Sequence, residues 1–325
     1  MIFVAFVRAI RFICLFPLPS RVIIYGMLQR RSPSATALAL LSIVIWGFLT
    51  FMAVRLTHVP SFLLAGIGLT IGGLISTPKI REWRVPLKTL LIGAGGMFGY
   101  HFLLFTALQL APAVEVNLLN YLWPLLIVAL TPALLPGYTL GAQHIVGVIA
   151  GLTGAVLVVS GGQIGLDVSH LPGYLCAAGT ALIWACYSLL TKRVPAFSSF
   201  AVGGFCAVAG VAALAVYFVE SALGLLPAVS LSGTDWLSLV LIGIGPLGIA
   251  FFTWDAALKR GDPRRIGALS YLTPLLSTLV LVVFNGQQMS PTLFIAMGLI
   301  VGGAVISSIQ FGALTKRLRG NSALP

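Results

Sequence analysis

From residue 34 to residue 312 the chain alternates between apolar runs of about twenty residues and short segments that collect its charged and polar residues. Such a run is what an α-helix needs to cross roughly 30 Å of hydrocarbon at about 1.5 Å per residue. Dividing the chain at the polar segments gives spans at 34–54, 60–77, 87–109, 112–131, 142–160, 172–191, 198–220, 236–258, 264–284 and 291–312. An unpaired backbone group in hydrocarbon costs several kcal/mol, and the runs lack the strict alternation of barrel strands, so the spans are expected to be helices. Composition agrees: 8% of the 325 residues are charged, against roughly 25% in a soluble domain. The expected fold class is an all-α polytopic membrane protein with ten transmembrane helices.

The positive charges test that count. With the N-terminus in the cytoplasm, one side of the membrane receives Arg8, Arg11, Arg21, Arg30 and Arg31, then Lys79, Arg81, Arg84 and Lys88, then Lys192 and Arg193, then Lys259, Arg260, Arg264 and Arg265, and finally Lys316, Arg317 and Arg319. Only Arg55, of 19 Lys and Arg, falls on the other side. The bias predicts both termini in the cytoplasm, in a bacterial inner membrane, and one missed or invented span would scramble it. The net charge of +12 therefore reports topology and not a nucleic-acid partner. Trp83 and Trp236, at span edges, are expected among the head groups.

Residues 1–33 are read as a cytoplasmic or interfacial arm, because arginines and the pair Pro17 and Pro19 interrupt their apolar character. An upstream start, with translation beginning at Met27, is the alternative. Cys14, Cys176, Cys186 and Cys206 form no C-x-x-C pair, so neither a disulfide frame nor a metal site is expected.

The chain also repeats itself. At an offset of 138, Trp46, Thr50 and Arg55 fall on Trp184, Ser188 and Arg193. At 150, Gly93 and Gly95 fall on Gly243 and Gly245, Tyr121-Leu122 on Tyr271-Leu272, and Pro124-Leu125-Leu126 on Pro274-Leu275-Leu276. At 151, Gly147-x-x-x-Gly151 falls on Gly298-x-x-x-Gly302, glycine pairs suited to close helix contact. Residues 34–161 and 162–313 are the two repeats, and 314–325 a cytoplasmic tail. Each repeat holds five spans, and the odd number makes the second enter the membrane from the opposite side. Inverted repeats are a common build of secondary transporters, with substrate at the midplane and access alternating between faces.

Depth along the spans nominates residues. Trp46 and Trp184 each lie about twelve residues into a span, near the bilayer centre from opposite halves, and Tyr121, Trp123 and Tyr271 lie at similar depth. Pro124 and Pro274 each free a carbonyl one turn back, and are candidate kinks or gates. These residues predict an aromatic midplane pocket able to stack on a ring or face an ammonium group, simple interhelical packing being the alternative. Tyr100 and His101 join it from the third span. His101 is a candidate for a substrate carboxylate and for proton coupling, with a bond to a backbone carbonyl as its structural alternative. Asn117, Asn120, Ser270 and Thr273 suit the polar ends of an amino acid, and helix–helix hydrogen bonding explains them about as well. Glu115 is a second coupling candidate, near the outer face. Asp255 and Lys259 stand at ion-pair spacing.

The Trp-Gly of the first span, Ala107-Leu108, the Pro124 span and Gly147-x-x-x-Gly151-x-x-Gly154 resemble the ten-helix drug/metabolite transporter superfamily in its EamA branch, over residues 34–313. The strings Asn117-Leu118-Leu119-Asn120-Tyr121-Leu122-Trp123-Pro124-Leu125, Trp254–Asp262 and Ser270–Ser277 are similar to those of bacterial aromatic amino acid exporters. The resemblance implies a secondary carrier for small amphipathic metabolites, aromatic amino acids first, other amino acids or hydrophobic drugs second. No cofactor is expected, the partners are the small-molecule substrate and the lipid bilayer, and the sequence leaves the oligomeric state open, a monomer included. Two departures stand out. Pro136-Gly137 and Gly286-Gln287 replace the Gly-Glu common in the superfamily, so no role of that glutamate carries over. The first span lacks the acidic residue of the small multidrug relatives. No G-x-x-x-x-G-K-S/T loop is present, His101 has no evident catalytic partner for an intramembrane hydrolase, and the aromatic centre suits a closing pocket better than a channel.

Overall fold

The computed structural model describes residues 33–160, 167–227, 229–285 and 291–308, and every regular element among them is helical. The expected arm up to residue 32, the tail at 314–325 and Gly286-Gln287 lie outside the described residues. Fourteen helices follow in chain order: α1 (Ala35–Gly47), α2 (Leu49–Ala53), α3 (Ser61–Leu74), α4 (Leu87–Leu110), α5 (Ala113–Asn120), α6 (Trp123–Leu134), α7 (Ala142–Ser160), α8 (Leu171–Leu190), α9 (Ala201–Ala222), α10 (Gly233–Ile244), α11 (Ala250–Arg260), α12 (Pro263–Leu269), α13 (Leu272–Asn285) and α14 (Pro291–Ser308). Pro60, Pro86 and Pro112 stand just before α3, α4 and α5, where a missing N–H leaves no bond unmade. Ser232 and Asp235 form a reciprocal capping box at α10.

Several expected spans are broken by their own chemistry. Pro124 has no N–H for the Asn120 carbonyl, and α5 ends there, with Leu122 N–H turning to Leu119 O at 3.1 Å. Pro274 leaves the Ser270 carbonyl in the same position, Thr273 N–H takes it at 3.0 Å, and α12 and α13 separate. Between α10 and α11 the segment Gly245–Ile249 forms a π-turn around Pro246. Six described segments are long and apolar enough to cross a bilayer: Ala35–Ala53, Leu87–Leu110, Glu115–Leu134, Val168–Leu190, Ala201–Ala222 and Gly233–Arg260. A seventh is Ser61–Leu74 with Thr77–Trp83, bent by 90°. The fifth and tenth expected spans are shorter apolar runs, Ala142–Leu157 and Phe294–Ser307, and the ninth is the broken α12–α13.

Small residues set the helix pairing. α3 packs along α9, α4 along α8, α1 along α11 and α7 along α14. A Cβ on Gly72 of α3 would stand 2.2 Å from the Leu247 carbonyl oxygen, so only glycine admits that approach. On α14, Gly303 rather than Gly298 or Gly302 meets Gly147 of α7; the latter two face open space. Large apolar side chains such as Leu87, Leu91, Val211, Phe218 and Ile295 are exposed on the outside of the bundle. Trp236 is among the exposed residues, whereas Trp83 is held inward, donating to Ser76 Oγ at 2.8 Å and packing over Gly204.

Candidate functional site

The breaks in α5–α6 and α10–α11 and the middles of α1, α4 and α8 enclose a cavity of about 280 Å³. Its wall is aromatic, from Trp46, Tyr100, Tyr121, Trp123, Trp184 and Phe251. Trp46 is the hub: its ring centroid lies 6.4 Å from Trp123, 5.9 Å from Trp184 and 6.0 Å from Phe251, each pair edge-on. That arrangement sets the positive edge of one ring against the negative face of the next. The Trp46 indole N–H donates to the Pro246 carbonyl at 3.0 Å. Trp254 lies behind this cluster, 1% exposed, 5.4 Å from Trp46 and 5.5 Å from Trp123, and donates to Ser188 Oγ at 3.2 Å.

Polar groups punctuate the wall. Asn120 donates from Nδ2 to the Tyr100 hydroxyl at 3.3 Å and accepts at Oδ1 from Thr180 at 3.0 Å. His101 holds its Nδ1 2.7 Å from the Met97 carbonyl. A carbonyl only accepts, so Nδ1 carries the proton, and in the neutral ring Nε2 is an acceptor. The neutral ring in this tautomer has no second N–H to offer a carboxylate, and the protonated ring would donate one from Nε2. Asn117, Thr273 and Ser277 also line the cavity, and the buried Thr273 Oγ1 has no hydrogen-bond partner among the described residues.

The cavity gathers nine of the residues nominated from the sequence, Trp46, Tyr100, His101, Asn117, Asn120, Tyr121, Trp123, Trp184 and Thr273. Ser270 and Tyr271 are not on its wall. Both are fully buried; Ser270 donates to Ile266 O at 2.9 Å, and the break turns Tyr271 onto α7, where Gly151 leaves room for its ring. From this stretch Thr273, a nominated residue, and Ser277, which was not nominated, line the wall. Glu115 is also off the wall, accepting at 3.0 Å from the Tyr174 hydroxyl on α8. Pro124 and Pro274 shape the breaks without lining the space. Phe251 was not among the expected residues, although it is the repeat mate of His101 at the 150-residue offset.

The cavity runs one way. Its lining follows the first span from Trp46 through Leu49 to Ala53 and includes Leu64 and Phe105, so it extends toward the end holding the α2–α3 and α4–α5 connections. The opposite end is bonded shut. Ser42 Oγ reaches the Ala250 carbonyl at 3.0 Å and Thr253 Oγ1 at 2.6 Å. Asp255 pairs with Lys259 at 2.6 Å and accepts from Ser199 at 2.5 Å. Lys192 Nζ caps the end of α11, donating to the Leu258 and Gly261 carbonyls. Burial lowers the Lys192 ammonium below its ordinary range, and the nearby Asp262 charge opposes that shift.

The EamA-like transporter family model matches residues 33–160 and again residues 171–309. The chain belongs to the EamA-like transporter family. As an EamA protein it is a multi-pass membrane transporter and not an enzyme. The aromatic amino acid exporter YddG of Ancylobacter novellus is 42% identical over 286 residues, which cover 85% of this chain and 97% of that protein. A probable amino-acid metabolite efflux pump of Salmonella typhimurium is 25% identical, over 84% of this chain and 94% of its own. A solved crystal structure superposes with a TM-score of 0.78 at 40% identity, covering 87% of this chain and 98% of that one.

Proposed function

We propose that this EamA transporter exports aromatic amino acids across a bacterial inner membrane by alternating access, with the central cavity as its substrate site. The observation that carries the reading is the ring cluster itself: a space of about 280 Å³ walled by Trp46, Trp123, Trp184 and Phe251 accepts one aromatic side chain edge-on. His101 Nε2 and the ring faces suit the ammonium group, and the unpartnered Thr273 hydroxyl adds a polar contact. The 42% identity to a protein named for this activity points the same way.

The architecture proposed for it is ten spans in two inverted repeats, residues 34–161 and 162–313, with both termini cytoplasmic. Two observations support it. The family model matches once in each half. The helix pairs also exchange under a shift of five spans: α1 of the first span packs on α11 of the eighth, and α8 of the sixth on α4 of the third, while the second and seventh pair with each other, as do the fifth and tenth. On the charge bias the end bonded shut is cytoplasmic, and the cavity faces outward. A monomer suffices, since the wall comes from one chain.

The test is counterflow. Liposomes carrying the purified protein take up labelled phenylalanine, with phenylalanine, threonine or buffer trapped inside and equal pH on both faces. Saturable uptake stimulated by trapped phenylalanine is expected, and greatly reduced uptake in Trp46→Ala, Trp184→Ala and His101→Ala. Uptake no greater than in empty liposomes, with or without a pH gradient, overturns the substrate; wild-type uptake in all three variants overturns the site.

A further inference from the structure

We infer that Thr180, outside the cavity wall, orients Asn120 so that the Tyr100 hydroxyl donates its hydrogen to the carboxylate of a bound amino acid. This rests on reading the cavity as an amino acid site. Thr180 lies on α8 with no exposed surface, its Oγ1 2.6 Å from the Ala177 carbonyl and 3.0 Å from Asn120 Oδ1. A hydroxyl has one hydrogen and both partners are acceptors, so Thr180 serves them as the donor of a three-centre bond. That holds the amide with its oxygen toward α8 and its NH2 toward Tyr100, whose hydroxyl oxygen accepts at 3.3 Å. The Tyr100 oxygen is thus an acceptor toward Asn120, and its own hydrogen is directed elsewhere.

A carboxylate is acceptor-only, and hydrogen bonds to an ionised partner are roughly twice as strong as neutral ones. The polarity runs from Thr180 to Asn120 to Tyr100 to the carboxylate. His101, the next residue on α4, has the opposite polarity, because its N–H is committed to Met97 and Nε2 accepts. Two adjacent side chains therefore read the two ends of a zwitterion. If the Asn120 amide were turned over, Thr180 would accept from it, Tyr100 would donate to it, and Tyr100 would present lone pairs that favour the ammonium instead.

The experiment measures half-saturation for phenylalanine, and inhibition by hydrocinnamate, which lacks the ammonium, and by phenethylamine, which lacks the carboxylate. Thr180→Val removes the hydroxyl and keeps the shape. It is expected to weaken phenylalanine and hydrocinnamate about tenfold, equivalent to about 1.4 kcal/mol, and to leave phenethylamine nearly unchanged. Thr180→Ser is expected to restore the wild-type pattern. Tyr100→Phe removes the proposed donor directly and is expected to show the same selective loss, which keeps the inference testable if Thr180→Val is not recovered folded. Equal weakening of both analogues, loss confined to phenethylamine, or no change overturns it. A wild-type protein that does not carry phenylalanine removes the amino acid reading and this inference together. Wild-type transport with unaltered discrimination in Thr180→Val removes the inference alone.

Discussion

Trp46 donates its indole N–H to the carbonyl of Pro246, 200 residues away in sequence and 3.0 Å away in space. Pro246 has no N–H, and the Ala250 N–H reaches five residues back to the Gly245 carbonyl, so the helix widens into a π-turn within which the Pro246 carbonyl accepts from the Trp46 side chain. The ring at the centre of the cavity is thereby held by a directional bond between the first and eighth spans as well as by packing.

Trp46→Phe keeps an aromatic ring and removes the donor. An unsatisfied buried carbonyl costs about 1–3 kcal/mol, so the variant is expected to unfold at lower temperature in detergent. Its half-saturation for phenylalanine is expected to rise, because the remaining ring is free to turn. Trp46→Ala is expected to be worse in both measurements. Wild-type melting and wild-type half-saturation in Trp46→Phe would show that the bond does no positioning.

Depth is legible in a membrane sequence because hydrocarbon thickness fixes it, and that is why Trp46, Trp123 and Trp184 could be placed at one level from their positions in the spans. Rotation about a helix is less legible. Tyr271 was expected beside Tyr121, its repeat mate, but the break at Ser270 turns it onto Gly151, and Thr273 reaches the wall instead. Partners distant in sequence are also hidden: nothing near Glu115 announces Tyr174, 59 residues on. Thr180 reads as one more small residue in a span until Asn120 is seen across from it. Phe251 was within reach, since overlaying the repeats on His101 points straight to it.

The repeat-related glycine pairs are predicted to respond differently to the same change. A Cβ on Gly147 would stand 2.5 Å from the Gly303 carbonyl oxygen, so Gly147→Ala forces α7 and α14 apart and is expected to lower the melting temperature. Its mate Gly298 has nothing within 4 Å, and there Gly298→Ala is expected to be neutral or to stabilise by up to about 1 kcal/mol through helix propensity. Thermal melts of the two purified variants decide it; equal losses would contradict the packing.

The pair Asp255–Lys259 is predicted to couple. The Asp255 side chain is 2% exposed, bonded to Lys259 and Ser199, while the Lys259 ammonium also donates to the Phe197 carbonyl at 2.9 Å and lies 3.4 Å from that ring's centre. Removing one partner of a buried pair costs about 3–5 kcal/mol because the other charge is stranded, whereas replacing both is often near neutral. Lys259→Met is therefore expected to destabilise strongly, and Asp255→Asn with Lys259→Met to recover most of the loss. Additive losses in the double variant would show that the two side chains act independently.

Asp262 supplies a prediction in pH. It caps α12 by accepting from the Arg264 backbone N–H at 2.9 Å, and takes the Arg264 guanidinium through Nε at 3.0 Å and Nη2 at 2.7 Å. Arg264 also donates to the Thr139 carbonyl and lies 5.2 Å over the Tyr138 ring, so the pair ties the α11–α12 turn to the α6–α7 connection. Burial alone raises the Asp262 carboxyl, but the bonds from Arg264 outweigh it and hold the group below its usual range. A carboxyl lowered on folding contributes stability that is fully present above its unfolded value and is lost as pH falls through the folded one. Asp262→Asn keeps the cap oxygen and loses the charge, so it is expected to cost about 1 kcal/mol or less at neutral pH. The gap from wild type should hold constant down to the unfolded carboxyl value of about 3.9 and close below it, as the wild-type group takes up its proton. Melts at stepped pH check this; a gap that survives below the folded value would mean that the loss came from geometry and not from the charge.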